Sequence, residues 1–88
     1  MRVTHFDWDD GNVEHIARHN VTPEEAEEVL ARKFMARRTR GGYYSALGRT
    51  LAGRYLFLVF SCGLGGTARV ITAMDMSKKQ RRLYGRRG

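Results

Sequence analysis

The stretch RYLFLVFSCGLGGTARVITAMD, residues 54–75, decides the fold. Residues 55–60 form an unbroken apolar run of strand-forming side chains, which is too short for an ordinary helix and is followed by the turn-forming run at residues 61–66. This run predicts a central strand that is buried on both faces. Residues 68–73 alternate with the period of a strand, so we expect a second strand that folds back on the first as a hairpin with a glycine-rich loop.

Capping signals predict two helices ahead of this hairpin. Asp9 or Asp10 can accept hydrogen bonds at the start of a first helix, and Asn20 tolerates the left-handed conformation that ends it. Thr22, followed three residues later by Glu25, forms the capping box of a second helix.

The remaining segments extend the hairpin into a sheet. Three short strand-compatible runs lie at residues 3–8, 34–40 and 43–50. Ser77 and Gln80 form another capping box, which opens a C-terminal helix. The chain is therefore predicted to be one α+β domain over residues 1–88. It contains a short N-terminal strand, two helices, a four-stranded antiparallel meander and a C-terminal helix, with the helices on one face of the sheet.

Size and composition narrow the classes of function. A chain of 88 residues buries only about 60 to 65 % of its unfolded surface, so we expect chemistry on an open face and no bound cofactor. The single Cys62 excludes an internal disulfide framework and provides no second thiol for a zinc site. No apolar run approaches the ~20 residues of a membrane span and no signal peptide is recognisable, so the expected location is the cytoplasm.

The charge is distributed unevenly along the chain. The net charge of +7 divides into −6 over residues 1–30 and +13 over residues 31–88, where 14 basic side chains accompany one acidic side chain. Such a positive field concentrates polyanions, and nucleic acid is the foremost candidate. A merely solvated basic surface and a docking site for an acidic protein are the alternatives.

Three segments together resemble a known family. WDDGNVEHIARHNVTPEEAEEVL at 8–30, LGRTLAGRYLFLVF at 47–60 and RVITAMDMSKKQRRLY at 69–84 resemble the BrnT-type toxins of bacterial type II toxin–antitoxin pairs. The resemblance implies a RelE-like fold, a ribonuclease activity that inhibits translation by cleaving RNA, and a small cognate antitoxin that is expected to bind DNA.

The chain departs from this family at four positions, of which Asn20, in place of the glycine that normally ends the first helix, is compatible with the same backbone conformation. Met74 stands where relatives carry an arginine, Gln80 where they carry a glutamate, and Tyr43 where a basic residue is common. The loss of an arginine bears on electrostatic catalysis. The alternative function is therefore a non-catalytic module that binds nucleic acid or docks the antitoxin.

Two histidines are the candidates for proton transfer in metal-free RNA cleavage. His15 and His19 lie four residues apart on the first predicted helix and share one face with Asn12. Histidine suits both proton roles near neutral pH. The alternative is a polar helix face with a structural hydrogen bond, and zinc is not expected because no third ligand is evident.

Arginines are the candidates for holding the scissile phosphate. Arg49 and Arg69 lie on the predicted sheet, and each could hold a phosphate oxygen and neutralise the growing charge. The alternative for Arg69 is an arginine in solvent or an ion pair with Asp75. Three further basic residues are predicted to contact RNA, namely Arg54, Lys79 and Arg82. The predicted groove joins the polar face of the first helix, both sheet arginines and the start of the last helix.

Two aromatic residues have a structural and a functional interpretation each. Trp8 could stack on a base, but core packing is the favoured role. Tyr84 is interpreted as an anchor for the last helix, with a hydroxyl exposed to the groove as the alternative.

Overall fold

The computed structural model of the protein describes residues 2–86. Its three α-helices are α1 (Asp10–Ala17), α2 (Pro23–Ala31) and α3 (Lys78–Gly85). Its five strands are β1 (His5–Phe6), β2 (Met35–Arg38), β3 (Tyr44–Arg49), β4 (Tyr55–Cys62) and β5 (Thr67–Asp75). They form one sheet in the order β1-β5-β4-β3-β2, in which β2 to β5 are antiparallel neighbours and β1 pairs parallel to β5. The predicted α+β class, element order and meander are confirmed, and the short first strand makes the sheet mixed.

Strand β4 lies at the centre of the sheet, as its apolar sequence predicts, but only one of its faces is fully buried. Leu56, Leu58 and Phe60 have no solvent exposure, whereas the alternating side chains of Tyr55 and Phe57 are half-buried. The predicted burial of both faces is therefore wrong. The physical reason is coverage: a helix of eight residues is about 12 Å long, whereas a strand of eight residues spans about 26 Å.

The helices pack on both faces of the sheet, which corrects the prediction of a single helical face. Gly48 pairs with Leu56 on the face against α2, where a Cβ on Gly48 would lie 2.7 Å from Val29 Cγ1. We call this the inner face; it is covered by α1 and α2. The opposite, outer face is approached by α3, whose Tyr84 ring lies edge-on to Tyr55 with centroids 6.0 Å apart. The exposed apolar side chains of β4 explain why a third helix is held there.

Local capping signals form as the sequence predicts. Asn20 has a positive φ of 59° just after α1. Each α-helix begins with a reciprocal capping box, and the pairs are Asp9–Asn12, Thr22–Glu25 and Ser77–Gln80. These contacts satisfy backbone N–H groups that a helix start otherwise leaves without partners.

The hydrophobic core fills the space between the inner face and the two helices that cover it. Its largest fully buried side chains come from both layers and include Ile16, Val29, Leu58, Phe60 and Val70. Within residues 2–86, no helix is long and apolar enough to cross a membrane.

Candidate nucleic-acid interface

Two arginines and two tyrosines meet on the outer face. Arg49 on β3 lies opposite Tyr55 on β4, and its Cζ is 5.0 Å from the Tyr55 ring centroid. Arg81 on α3 approaches the same ring at 4.2 Å, and Tyr84 completes the group through its edge contact with Tyr55. We call these four residues the Arg–Tyr cluster. Cation–π attraction to the ring holds both guanidinium groups at the surface.

The cluster concentrates positive charge. Arg49 and Arg81 are exposed, and neither forms an ion pair with a carboxylate in the part of the chain that the structure describes. Their contacts with a single ring keep the two charges within about one Debye length of each other, so they repel. An anion bound here would relieve that repulsion and gain charge-assisted hydrogen bonds.

An open cleft of about 380 Å³ adjoins the cluster. Its apolar wall comes from Phe34, Met35, Tyr55 and Tyr84, and Lys33 and Arg49 supply positive charge. Pockets of this volume accept small organic groups. Apolar walls beside cations suit a nucleobase joined to a phosphate.

The acidic helix α2 lies on the other side of the sheet, where its carboxylates make structural contacts. Glu27 Oε2 accepts a hydrogen bond from Trp8 Nε1 at 2.8 Å, and Glu28 Oε1 accepts one from the Leu51 amide at 2.9 Å. Trp8 is half-buried and packs against the core, which confirms its favoured role. The carboxylates of α2 therefore lie away from the Arg–Tyr cluster.

Arg54 does not belong to the outer face. Its Nε donates to Asp75 at 2.9 Å, and its Nη1 donates to Glu25 at 3.1 Å and to the Asn20 carbonyl at 2.6 Å. The bond to Asp75 and then the bond to Glu25 raise the pKa of the Arg54 guanidinium. This arrangement gives no support to the predicted contact of Arg54 with RNA, because four of its five N–H donors already bind groups of the protein that join α1, α2 and β5.

His15 lies on α1, whereas His19 lies in the turn that follows it, which corrects the prediction of both histidines on the first helix. Both lie away from the Arg–Tyr cluster. Their ring centroids are 6.2 Å apart in an edge-on arrangement, and His15 lines a shallow depression with Arg69. Asn12, which was predicted to share their polar face, is buried at 5 % exposure. Its Nδ2 donates to the carbonyls of Asp7 and Val70 at 3.0 and 3.1 Å. Asn12 therefore connects α1 to β5 and is not available to a ligand.

Arg69 is neutralised by carboxylates that precede α1. Its Nη2 lies 3.0 Å from Asp9 Oδ2 and its Nη1 lies 3.5 Å from Asp7 Oδ2. The alternative interpretation of Arg69 as an ion-pair partner of Asp75 is not observed, because that carboxylate is bound to Arg54. The Asn12 backbone N–H, and after it Arg69, lower the pKa of Asp9. Two carboxylates on one arginine leave this surface unfavourable for phosphate.

The sheet register separates the two arginines that were predicted to hold one phosphate. Arg49 lies opposite Tyr55, whereas Arg69 lies opposite Ser61 on the same strand. Six residues of a strand span about 20 Å. The predicted groove that contains both arginines and the histidines is therefore not formed, and the histidine depression and the Arg–Tyr cluster are separate surfaces.

Helix α3 carries the other basic candidates and one that was missed. Lys79 and Arg82 are exposed on α3, where they can reach a phosphate backbone. Arg81 is one of the cations that the basic sequence of the last helix offers, but it was not among the three predicted RNA contacts, although its spacing of three residues from Tyr84 places both on one helical face. Tyr84 packs against Tyr55 as the expected anchor and also lines the cleft.

Two further side chains, Met74 and Gln80, lie on the outer face or border it. Met74 pairs with Phe57 and is half-buried, and Gln80 caps α3 and borders a groove beside Phe57. Both side chains therefore belong to the surface that carries the Arg–Tyr cluster or lie beside it.

Between residues 2 and 86, no three His, Cys, Asp or Glu side chains gather into a group that could hold a metal ion. No family model matches the chain, and no curated protein matches it.

Proposed function

We propose that this protein binds single-stranded RNA through the Arg–Tyr cluster. As in the BrnT-type toxins that its sequence resembles, it would act as the toxin of a toxin–antitoxin pair with a RelE-like fold. In this proposal it cleaves the bound RNA without a metal ion and so inhibits translation. A cognate antitoxin, with an acidic segment suited to the basic outer face, would block it.

The observation that supports this proposal is the pair of arginines at Tyr55. Arg49 and Arg81 combine charge that no carboxylate among residues 2–86 neutralises with an aromatic surface and an adjoining apolar cleft. Proteins that bind single strands use this combination, since cations hold the phosphates while aromatic rings stack on the bases. In the histidine depression, by contrast, the arginine is Arg69, which is already paired with Asp9.

Cleavage at this cluster would rely on arginine and tyrosine. The 2′ oxygen of the RNA would attack the adjacent phosphorus and displace the 5′ oxygen, which leaves a 2′,3′-cyclic phosphate. Water in the open cleft would take the 2′-hydroxyl proton, the hydroxyl of Tyr84 would give its proton to the leaving 5′ oxygen and regain one from water, and Arg49 and Arg81 would neutralise the charge that develops on the phosphate. His15 and His19 would then have no part in the reaction, because His15 lies in the separate depression beside Arg69 and His19 lies next to His15.

A non-catalytic RNA-binding module is the second candidate function. It is favoured by the absence of histidine from the described lining of the cleft, and by Met74, which replaces an arginine of the relatives on this face. Such a module would bind RNA with a strong dependence on salt but would leave it intact.

The test is binding and cleavage of one end-labelled RNA in EDTA by the same purified protein. Arg49→Ala combined with Arg81→Ala should weaken binding and lower the slope of log K against log salt by about 1.4, which is about 0.7 for each lost phosphate contact. Arg18→Ala is the matched control, since it removes a positive charge from an exposed side chain of α1's C-cap.

The cleavage rate separates the two candidates. If the protein is a ribonuclease, Arg49→Ala should slow cleavage about 10²- to 10³-fold, while His15→Ala leaves the rate unchanged. Salt-dependent binding without cleavage would select the non-catalytic module. RNA affinity that is unchanged in the double arginine variant would contradict the proposed interface.

A further inference from the structure

We infer that the outer face holds two successive nucleotides of single-stranded RNA with their bases unstacked. One base enters the cleft beside Tyr84, and the next enters a second groove between α3 and β2. The inference rests on the proposed RNA-binding function and adds to it a site size and a strand conformation.

The second groove has its own apolar surfaces. Its volume is about 280 Å³; Leu47 and Phe57 of the sheet form its floor, and Met35 and Leu83 form its walls. Leu83 is 38 % exposed although it faces this groove from α3. Apolar side chains that remain partly in water at a groove gain from the burial of a flat apolar group.

The two depressions are neighbours with a fixed spacing. The first is built around Tyr55 and the second around Phe57, which lie two residues apart on the same face of β4. Two residues of a strand span about 7 Å, which is twice the 3.4 Å rise between stacked bases. Met35 lines both depressions and stands between them. Adjacent bases can therefore occupy the two depressions only when they no longer stack on each other.

Cations accompany each depression. Lys33 and Arg49 line the first, and Arg37 lines the second, so that a phosphate beside either base would meet a positive charge. This alternation of apolar depressions and cations follows the repeat of a polynucleotide.

Affinity measured against oligonucleotide length tests the inference. We would use 2′-O-methyl oligoadenylates with a 5′ phosphate, since a blocked 2′ oxygen cannot attack the phosphate. Ligands of one, two, three and ten nucleotides are titrated into the protein by calorimetry. Leu83→Glu places a charge at the second groove alone, and Leu64→Glu is the matched control because Leu64 is fully exposed in the loop between β4 and β5.

The expected result is a stepwise gain in affinity when the second nucleotide is added. The dinucleotide should bind at least about fivefold more tightly than the mononucleotide, as one added base stack provides, and the third nucleotide should add less. Leu83→Glu should remove this step and leave mononucleotide affinity unchanged, while Leu64→Glu keeps the step. Circular dichroism establishes that both variants are folded, and Arg37→Ala, at an exposed position, should reduce the step independently.

Three results would overturn the inference. Equal affinity for mono- and dinucleotide, with tight binding of the decanucleotide, would reject the two-base site and leave the proposed RNA binding in place. A step that persists in both Leu83→Glu and Arg37→Ala would reject the second groove as its cause and leave that groove to a protein partner. Failure of the decanucleotide to bind would reject the proposed function, and the inference with it.

Discussion

Replacement of Arg54 by alanine should destabilise the fold and leave the RNA interface intact. The guanidinium group donates to two carboxylates, Glu25 and Asp75, and to the carbonyls of His19 and Asn20. It therefore ties the end of α1 and the start of α2 to the end of β5. The sequence alone suggested a contact with RNA, so the two interpretations predict opposite results.

The expected loss in the free energy of unfolding follows from how exposed the hydrogen-bond partners of Arg54 are. A hydrogen bond to a charged group contributes about 1.5 to 3 kcal/mol when it is sheltered. The Asp75 side chain is 69 % exposed, which limits that pair to about 1 kcal/mol or less. The Glu25 pair, with both side chains 27 % exposed, and the carbonyl bonds supply the rest. Together the loss should be about 2 to 4 kcal/mol, or roughly 10 to 25 °C in melting temperature for a domain of this size.

The assay is thermal and urea unfolding followed by circular dichroism, with RNA affinity measured below the transition. Arg18→Ala is the matched control for the lost charge, and Arg54→Lys should be intermediate, because a lysine keeps the charge but loses the planar fork of donors. A double-mutant cycle with Glu25→Ala isolates the Arg54–Glu25 pair. An Arg54→Ala variant that melts with the control but loses RNA binding would refute this reasoning.

Three further predictions concern packing, hydrogen bonding and pH. Gly48→Ala should lower stability by about 1 to 3 kcal/mol through its contact with Val29, and an unchanged urea midpoint would contradict the close approach of α2 to β3. Asn12→Ala should cost about 1 to 3 kcal/mol because it leaves the Val70 carbonyl without its donor; a smaller loss by urea unfolding would mean that this bond is replaced. The lowered pKa of Asp9 stabilises the fold above about pH 4, and this contribution is lost as the pH falls through the lowered pKa. The difference in urea midpoint between the wild type and Asp9→Asn should therefore shrink below about pH 4, and a constant difference from pH 7 to pH 3 would contradict it.

The elements that the sequence predicts well are those determined by near neighbours. The capping boxes at Thr22 and Ser77 and the positive φ at Asn20 depend on residues within one helical turn. The strands of the meander follow from two-residue alternation and from glycines between them. These signals can be recognised without knowing which distant parts of the chain come into contact.

The misplaced elements depend on contacts between distant parts of the chain. The amphipathic pattern of α3 is the same whichever face of the sheet it covers, so its position on the outer face could not be read from Leu83 and Tyr84. Asn12 was assigned to the polar face of α1, but its amide is used by the Val70 carbonyl, which lies 58 residues away in sequence.

The candidate site was also mispredicted where it depends on contacts between distant parts of the chain. Arg49 and Arg69 were both correctly placed on strands, but the pairing register that separates them by about 20 Å is a property of the assembled sheet. Similarly, the exchange of ion-pair partners, with Asp75 bound to Arg54 and Arg69 bound to Asp9, follows from which strand ends meet. Residue types indicate which side chains could hold a phosphate, and the topology of the sheet determines which of them share a surface.

The most direct test of the central claim is to map a bound RNA onto the protein by NMR. A non-cleavable decaribonucleotide is titrated into ¹⁵N-labelled protein, and backbone amides and arginine Nε–H signals are followed. The largest changes should occur at Arg49, Tyr55 and Tyr84 and at the side chain of Arg81. Changes centred on His15 and Arg69, with the Arg–Tyr cluster unaffected, would contradict the proposed interface.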